Sequence, residues 1–213
     1  MLEKVSLFDG LTDEELQVLE VHSRRRSYRK NTIVVEKGDE TTSLFILLSG
    51  EVKVYITDEN GKEVVLGIHG AGECFGELSM LGGTERTASV VTQDECVFLV
   101  ITRNNFLDCL RAQPQIALNL IQKLIGDIRK LTDRVASLAL QDVYGRVASV
   151  LMEVAKEEEG TLVTGRLTQQ EIAQMVGSSR EMISRIFKDL KLGGYISIEN
   201  KQIIINKKLP ARW

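Results

Sequence analysis

The sequence predicts an α+β chain with an N-terminal β-roll (jelly-roll), one long central helix and a C-terminal winged helix-turn-helix. Three observations predict it. Six short β-rich runs alternate with Gly- and Asp-bearing turns between Thr32 and Ile101, a spacing that suits a roll of antiparallel strands. Apolar residues then recur at a 3-4-3-4-3 interval from Ile121 to Leu138, the period of a coiled-coil seam. Finally, two capped amphipathic segments flank Gly177, which is helix-turn-helix anatomy.

Taken in order, Thr12 followed by Glu15 is a capping box that opens a short helix. The strand runs are 33–35, 44–48, 52–56, 64–68, 88–91 and 97–101, with Glu59-Asn60-Gly61-Lys62 as a hairpin turn. After the fourth run lies Phe75-Gly76-Glu77-Leu78-Ser79-Met80, then Arg86-Thr87-Ala88-Ser89-Val90, which leads into the fifth. Gly76 lets the backbone come close to a ligand. Arg86 can fork onto phosphate oxygens and Thr87 can donate one more bond. Glu77 can accept from a ribose hydroxyl, and a short helix after Gly76 would offer N–H groups to the phosphate. Gly76-Glu77 alone would read as a surface turn with a solvated ion pair. The spacing through Ala88 and Val90 favours a cyclic nucleotide.

From Asn104 the chain turns helical. Ile121, Leu124, Ile128, Leu131, Val135 and Leu138 read as the seam of a parallel dimer, with Ala117 one step earlier; a helix packed on its own barrel, the alternative, would use a 3.6 period and a wider stripe. Lys123, Asp127, Arg129, Lys130, Asp133 and Arg134 read as its solvated flank. Gly126 costs about 1 kcal/mol against Ala in a helix and reads as a point of close approach to a partner or ligand. Asp142 caps a further helix through Ala155, and Glu157-Glu158-Glu159-Gly160 reads as a charged turn. The expected organisation is residues 1–114 for the β-roll and flanking helices, 115–141 for the dimerisation helix and hinge, and 142–213 for the winged helix-turn-helix.

In that last part Thr168 and Glu171 form a second capping box, Gly177 ends the helix, and Ser179 caps the next. Met182, Ile183, Ile186, Phe187 and Leu190 give the second helix a buried face. Arg180, Glu181, Ser184, Arg185 and Lys188 are left outward, where arginine can bond guanine O6 and N7 and glutamate can accept from cytosine N4. A generic helical hairpin explains the apolar face but not this crowd of charges. Runs 195–198 and 202–205 read as a two-stranded wing, with Asn200-Lys201 at its turn. Lys201, Lys207 and Lys208 suit phosphate contacts, which position without specifying sequence.

The Gly38-Asp39, Leu44–Leu47 and Gly50 run, the Gly76–Val90 run and the helix-turn-helix together resemble the CRP/FNR family of transcription factors, over roughly residues 10–207. Thr41 departs from the family pattern, which usually has a smaller residue there. The resemblance implies a cyclic-nucleotide-binding β-roll in which Glu77 holds the ribose 2′-hydroxyl and Arg86 and Thr87 hold the cyclic phosphate. It completes the effector-binding set as Gly76, Glu77, Leu78, Arg86, Thr87, Ala88 and Thr132. The family's adenine contact falls on Leu131-Thr132, of which only Thr132 can hydrogen-bond a base. With the phosphate and ribose contacts intact and the base contact halved, cyclic AMP stays the preferred effector, with cyclic di-GMP or an effector-independent regulator as alternatives. The resemblance further implies that Arg180, Glu181 and Arg185 read TGTGA-like half-sites in palindromic double-stranded DNA. Thr168, Gln169, Ser179, Ser184, Lys188 and Lys201 complete the DNA-binding set, although the family often has arginine where Gln169 stands. RNA polymerase is the further partner it implies. The basic run Arg24-Arg25-Arg26…Arg29-Lys30 reads as a solvated strand-entry segment, with a polymerase-contacting surface as the alternative.

Composition bounds the rest. No stretch approaches the roughly 18 apolar residues of a membrane span, and the first residues, with neither a basic segment nor a long apolar core, are not expected to act as a signal peptide. Cys74, Cys96 and Cys109 are odd in number and widely spaced, which suits inert thiols in a reducing cytoplasm. The net charge is −3, yet residues 166–213 carry nine basic residues against four acidic ones, so anionic partners are expected at the C-terminal end. His22 and His69 are the only histidines and are far apart, so neither a metal site nor an enzyme is expected.

Overall fold

The computed structural model describes residues 2–158, 160–199 and 202–209. Its contacts divide the chain into two compact units, residues 1–128 and 129–213. Among the described residues no helix is long and apolar enough to cross a membrane.

The first unit opens with two 3-10 turns and helix α1 (Asp13–Val21), whose capping box is formed as expected by Thr12 and Glu15. Strands β1 (Ser23–Tyr28), β2 (Ile33–Val35), β3 (Leu44–Ser49), β4 (Glu51–Thr57), β5 (Glu63–Gly70) and β6 (Cys74–Phe75) follow. Then come α2 (Glu77–Gly82), β7 (Ser89–Thr92), β8 (Cys96–Ile101), α3 (Arg103–Ala112) and the long α4 (Pro114–Leu140). The strands make two antiparallel sheets, ordered β1-β8-β3-β6 and β2-β7-β4-β5. The β4–β5 hairpin turns where expected, with the Asp58 carboxylate accepting from the Asn60 and Lys62 amides at 2.9 and 2.8 Å.

β3 is apolar from Leu44 to Leu48 because both of its faces are covered. Leu44 and Ile46 join the helices' side chains Leu16, Leu19, Phe106, Ile116 and Leu120 in one core cluster. Phe45 and Leu47 point the other way, into a second cluster with Val35, Val52, Phe75, Val90 and Phe98 drawn from both sheets. Such alternation follows from the two-residue period of a strand. Phe75 stacks on Phe45 with ring centroids 5.2 Å apart, so the residue before Gly76 is anchored in the core.

Within this first unit two strands escaped the sequence reading. β1 is built from Ser-Arg-Arg-Arg-Ser-Tyr, of which only Tyr28 packs on the core, so no apolar alternation marks it; it is a paired edge strand and not merely a strand entry. β6 has two residues, too few for any period.

The second unit holds α5 (Val143–Val154), β9 (Ala155–Glu158), β10 (Thr161–Arg166), α6 (Gln169–Val176), α7 (Arg180–Leu192), β11 (Ile196–Glu199) and β12 (Gln202–Ile205). Asp142 caps α5 through its carboxylate, which accepts from the Gly145 amide at 2.8 Å. The helix stops at Val154, one residue short of the expected end. Residues 155–158, read as helix end and charged turn, instead form an antiparallel strand with β10. The four strands order as β11-β12-β10-β9, so the wing is half of a larger sheet. Lys201 and the wing turn lie outside the described residues, as does Glu159. The core joins Tyr144, Val147 and Leu151 of α5 to Ile172, Ala173 and Val176 of α6 and to Ile183, Phe187 and Leu190 of α7. Met182 differs from expectation: it is 37 % exposed, at the margin of that face.

Candidate functional site

The N-terminal site is built around Arg86. The Gly38 amide donates to the Arg86 carbonyl at 2.9 Å, and the Arg86 amide donates to the Asp39 carbonyl at 2.8 Å. Two motifs some fifty positions apart in the chain therefore meet at one residue. The guanidinium turns inward and is 4 % exposed. Its Nε donates to Thr41 Oγ1 at 3.1 Å and its Nη2 to the Ser43 carbonyl at 2.7 Å. Nη1 donates to the Gly76 carbonyl at 3.1 Å and to Ser79 Oγ at 2.8 Å. Burial lowers its pKa from the ordinary arginine value, opposed by the charges of Asp39 and Glu77. The sequence reading anticipated a cation open to a ligand; the structure gives one committed to four protein acceptors. Thr41, the departure from the family pattern, is one of them. Ser43 and Ser79 were not singled out, because a carbonyl acceptor and a lone hydroxyl leave no mark in a sequence.

Gly76 has φ 92°, in the left-handed region, and caps α2. A Cβ there would lie 2.7 Å from the Ser43 carbonyl oxygen and would strike the Arg86 guanidinium. Glycine is thus required twice over, by backbone and by space. Its successor Glu77 is 6 % exposed. Glu77 Oε1 accepts from Lys123 Nζ of α4 at 2.8 Å, and the same ammonium reaches Asp127 Oδ2 at 3.0 Å. Lys123 and Asp127 are therefore not solvated flank, as the sequence suggested. The available signal was their i,i+4 opposite charge directly beside the seam. Burial lowers the Lys123 pKa, but Glu77, with Cys74 and the hydrogen bonds to Glu77 and Asp127, more than offsets it and the pKa is raised. Arg134 is also paired, with Glu153 at 2.9 Å.

Of the other expected effector residues, Leu78 is 53 % exposed, Thr87 is exposed and Ala88 is half-buried beside Arg86. Thr132 is exposed on α4. His69 and Cys74 border the Glu77–Lys123 pair. Burial drives the Cys74 thiol up to about 12 and the Cys96 thiol up to about 11, so neither is a nucleophile near neutrality. Among the described residues no group of three His, Cys, Asp or Glu side chains could hold a metal ion.

α4 carries an uncovered apolar stripe: Ile121, Ile128, Leu131, Val135 and Leu138 are 52–66 % exposed, while Leu124 is partly buried against the first core. Leu118 and Ile125 widen it. A Cβ on Gly126 would meet nothing within 4 Å in this chain.

The second site is the start of α7. Gly177, φ 66°, ends α6, and Ser179 Oγ accepts from the Met182 amide at 3.2 Å. With Ile183, Ile186, Phe187 and Leu190 buried, Arg180, Glu181, Ser184, Arg185 and Lys188 are all exposed on one face. The Glu181 pKa is lowered by its own backbone N–H and by Ser179, with Arg180 and Arg185 adding to the effect. Thr168 Oγ1 accepts from the Glu171 amide at 3.2 Å and donates to its carboxylate at 2.8 Å, while Gln169 is half-buried at the helix start. The structure thus offers two guanidinium groups and a carboxylate within two turns of one exposed helix, donors and an acceptor suited to base edges.

Comparison with known proteins agrees with both halves. The family model for the cyclic nucleotide-binding domain matches residues 25–113, and that for the Crp-like helix-turn-helix domain matches residues 145–208. The cAMP-activated global transcriptional regulator Vfr of Pseudomonas aeruginosa is 31% identical over 200 residues, covering 90% of this chain and 94% of its own. The cAMP-activated global transcriptional regulator CRP of Haemophilus influenzae is 34% identical over 189 residues, covering 86% and 84%. Among solved structures, the c-di-GMP responsive global regulator CLP of Xanthomonas campestris superposes with a TM-score of 0.80 at 26% identity, covering 92% of this chain and 100% of that one.

Proposed function

The chain belongs to the CRP family, as a cyclic-nucleotide-binding, DNA-binding transcription regulator and not an enzyme, and on that premise we propose that it acts as a homodimer gated by cyclic AMP. One observation carries the gating: the Gly76 turn brings a buried carboxylate, Glu77, and a buried guanidinium, Arg86, into one corner of the β-roll. Ribose and cyclic phosphate need that acceptor and that cation. Gly76, Leu78, Thr87 and Ala88 complete the wall. A bound phosphate competes with Thr41 and Ser43 for the Arg86 N–H groups.

The seam of α4 supports the dimer. Five large apolar side chains are left more than half exposed in one chain, and covering that remaining surface is worth roughly 1–2 kcal/mol each. Two copies then present α7 to successive major grooves about 34 Å apart. Arg180, Glu181 and Arg185 read a TGTGA-like half-site, with Thr168, Gln169, Ser179, Ser184, Lys188 and Lys201 as flanking contacts. RNA polymerase is the downstream partner and the cytoplasm the compartment.

A second reading has a specific observation behind it. The CLP protein of Xanthomonas campestris is c-di-GMP responsive by its own description, and Leu131 here has no group for a base edge. Calorimetric titration with cyclic AMP, cyclic GMP and cyclic di-GMP decides between them. Cyclic AMP binding at about one per chain supports the first reading; binding of cyclic di-GMP alone supports the second. Silence toward all three removes the gating.

A further inference from the structure

Glu77 is a nearly buried carboxylate whose hydrogen bond within the chain falls on one oxygen only, Oε1, from Lys123 Nζ at 2.8 Å. A carboxylate has about four lone-pair sites over two oxygens and can only accept. One ammonium on Oε1 therefore leaves Oε2 open to accept from a further donor. Lys123 itself is held by Asp127 one turn further along α4, at 3.0 Å, and its side chain is 21 % exposed. The carboxylate is thus gripped from one side by a group that is itself fixed.

We propose that Lys123 is a positioning residue of the effector site, clamping Oε1 of Glu77 so that Oε2 is aimed to accept from the ribose 2′-hydroxyl. This rests on the cyclic-nucleotide reading and adds to it the residue that makes Glu77 selective. The ammonium does not touch the effector; it acts through the carboxylate. The Phe45–Phe75 stack and the Gly76 turn fix Glu77 at its backbone, and Lys123 fixes the other end of the side chain. With both ends held, the hydroxyl bond forms without ordering a free carboxylate, which is how pre-organisation strengthens binding. Because Lys123 lies on α4 between Ile121 and Leu124, the same clamp fastens the ribose contact to the helix that carries the apolar seam.

The test measures binding of cyclic AMP and of 2′-deoxy cyclic AMP to the full chain and its variants by calorimetry. Lys123→Met is expected to weaken cyclic AMP by about 10- to 100-fold, the worth of one hydrogen bond to a charged group. It should leave the 2′-deoxy nucleotide within about twofold of wild type, since that ligand never makes the bond. Lys123→Arg should restore most of the cyclic AMP affinity, and Glu77→Gln should show the same selective loss as Lys123→Met. Equal weakening of both nucleotides by Lys123→Met, or of neither, overturns the proposal while leaving cyclic AMP as effector. If Lys123→Met does not fold, Lys123→Gln, which keeps most of the stem, carries the same comparison. A wild-type protein that binds none of cyclic AMP, cyclic GMP or cyclic di-GMP overturns the reading beneath it as well.

Discussion

The Gly38 amide and the Arg86 carbonyl are hydrogen-bonded at 2.9 Å, and the reverse bond from the Arg86 amide to the neighbouring Asp39 carbonyl closes the pair. The loop before β3 and the segment before β7 are thereby locked at the residue whose guanidinium also spans Thr41, Ser43, Gly76 and Ser79. Arg86 is both the expected phosphate ligand and the cross-link of its own site.

That double role predicts a double effect. Arg86→Leu should lower the melting temperature of the unliganded protein, because buried acceptors lose their donors at about 1–3 kcal/mol each when unsatisfied. It should also abolish the thermal upshift that cyclic AMP gives the wild type. Differential scanning fluorimetry with and without nucleotide reads both. An unchanged upshift would move the phosphate site away from Arg86.

At the other end of the chain, Arg180→Ala should cost about 1–3 kcal/mol on a TGTGA palindrome and relax the preference at the contacted guanine. Lys188→Ala should instead weaken binding to all duplexes alike and flatten the salt dependence. Anisotropy titrations over a set of single-base operator variants separate the two patterns. A uniform loss for Arg180→Ala would mean that it touches phosphate and not base.

Ile128 is 62 % exposed and Val135 66 % exposed in the isolated chain. Replacing either with Glu puts a carboxylate against its own copy in the seam and removes apolar contact. Sedimentation velocity should show a dimer for wild type and a monomer for Ile128→Glu under the same conditions. A wild-type monomer, or a variant that stays dimeric, removes α4 as the dimer seam.

His69 supplies a pH dependence. Its pKa is lowered from 6.5, chiefly by burial, with Lys123 acting in the same sense and Glu73, Glu77 and Asp127 opposing. Nδ1 has no hydrogen-bond partner; Glu73 Oε1 is 3.7 Å away, too far for one. A depressed pKa means that the unfolded chain binds the proton more readily than the folded one. The stability due to neutral His69 is therefore complete above pH 6.5 and falls as the pH drops from there toward the folded-state value. His69→Gln should have a melting temperature that falls less between pH 7 and pH 5.5 than that of wild type. Parallel declines would mean that other groups carry the acid sensitivity.

Much of the fold was legible because its signals are periodic or chemically singular. The capping boxes at Thr12–Glu15 and Thr168–Glu171, the Asp142 and Ser179 caps and the β4–β5 hairpin all form where the residues imply. β1 was hidden because its arginines face outward and Tyr28 alone packs on the core, which leaves no alternation to read. β9 was hidden because Glu157 and Glu158 read as a solvated turn, although pairing with β10 needs only their backbones. Gly76, Glu77 and Arg86 stand out in the sequence, but the groups they bond within the chain do not. The charge on Lys123 looked like ordinary helix surface, and only the fold shows that α4 delivers it to Glu77. The inward turn of Arg86 was equally invisible, since its acceptors include two backbone carbonyls.

Gating of DNA by nucleotide is the central claim, and one measurement reaches it directly. The affinity of the full chain for a labelled TGTGA palindrome is measured by fluorescence anisotropy at fixed salt, with and without saturating cyclic AMP. Coupling of about 1–3 kcal/mol, the usual allosteric range, predicts that nucleotide tightens binding by about 5- to 150-fold. Equal affinity in the presence and absence of cyclic AMP, cyclic GMP and cyclic di-GMP would contradict it.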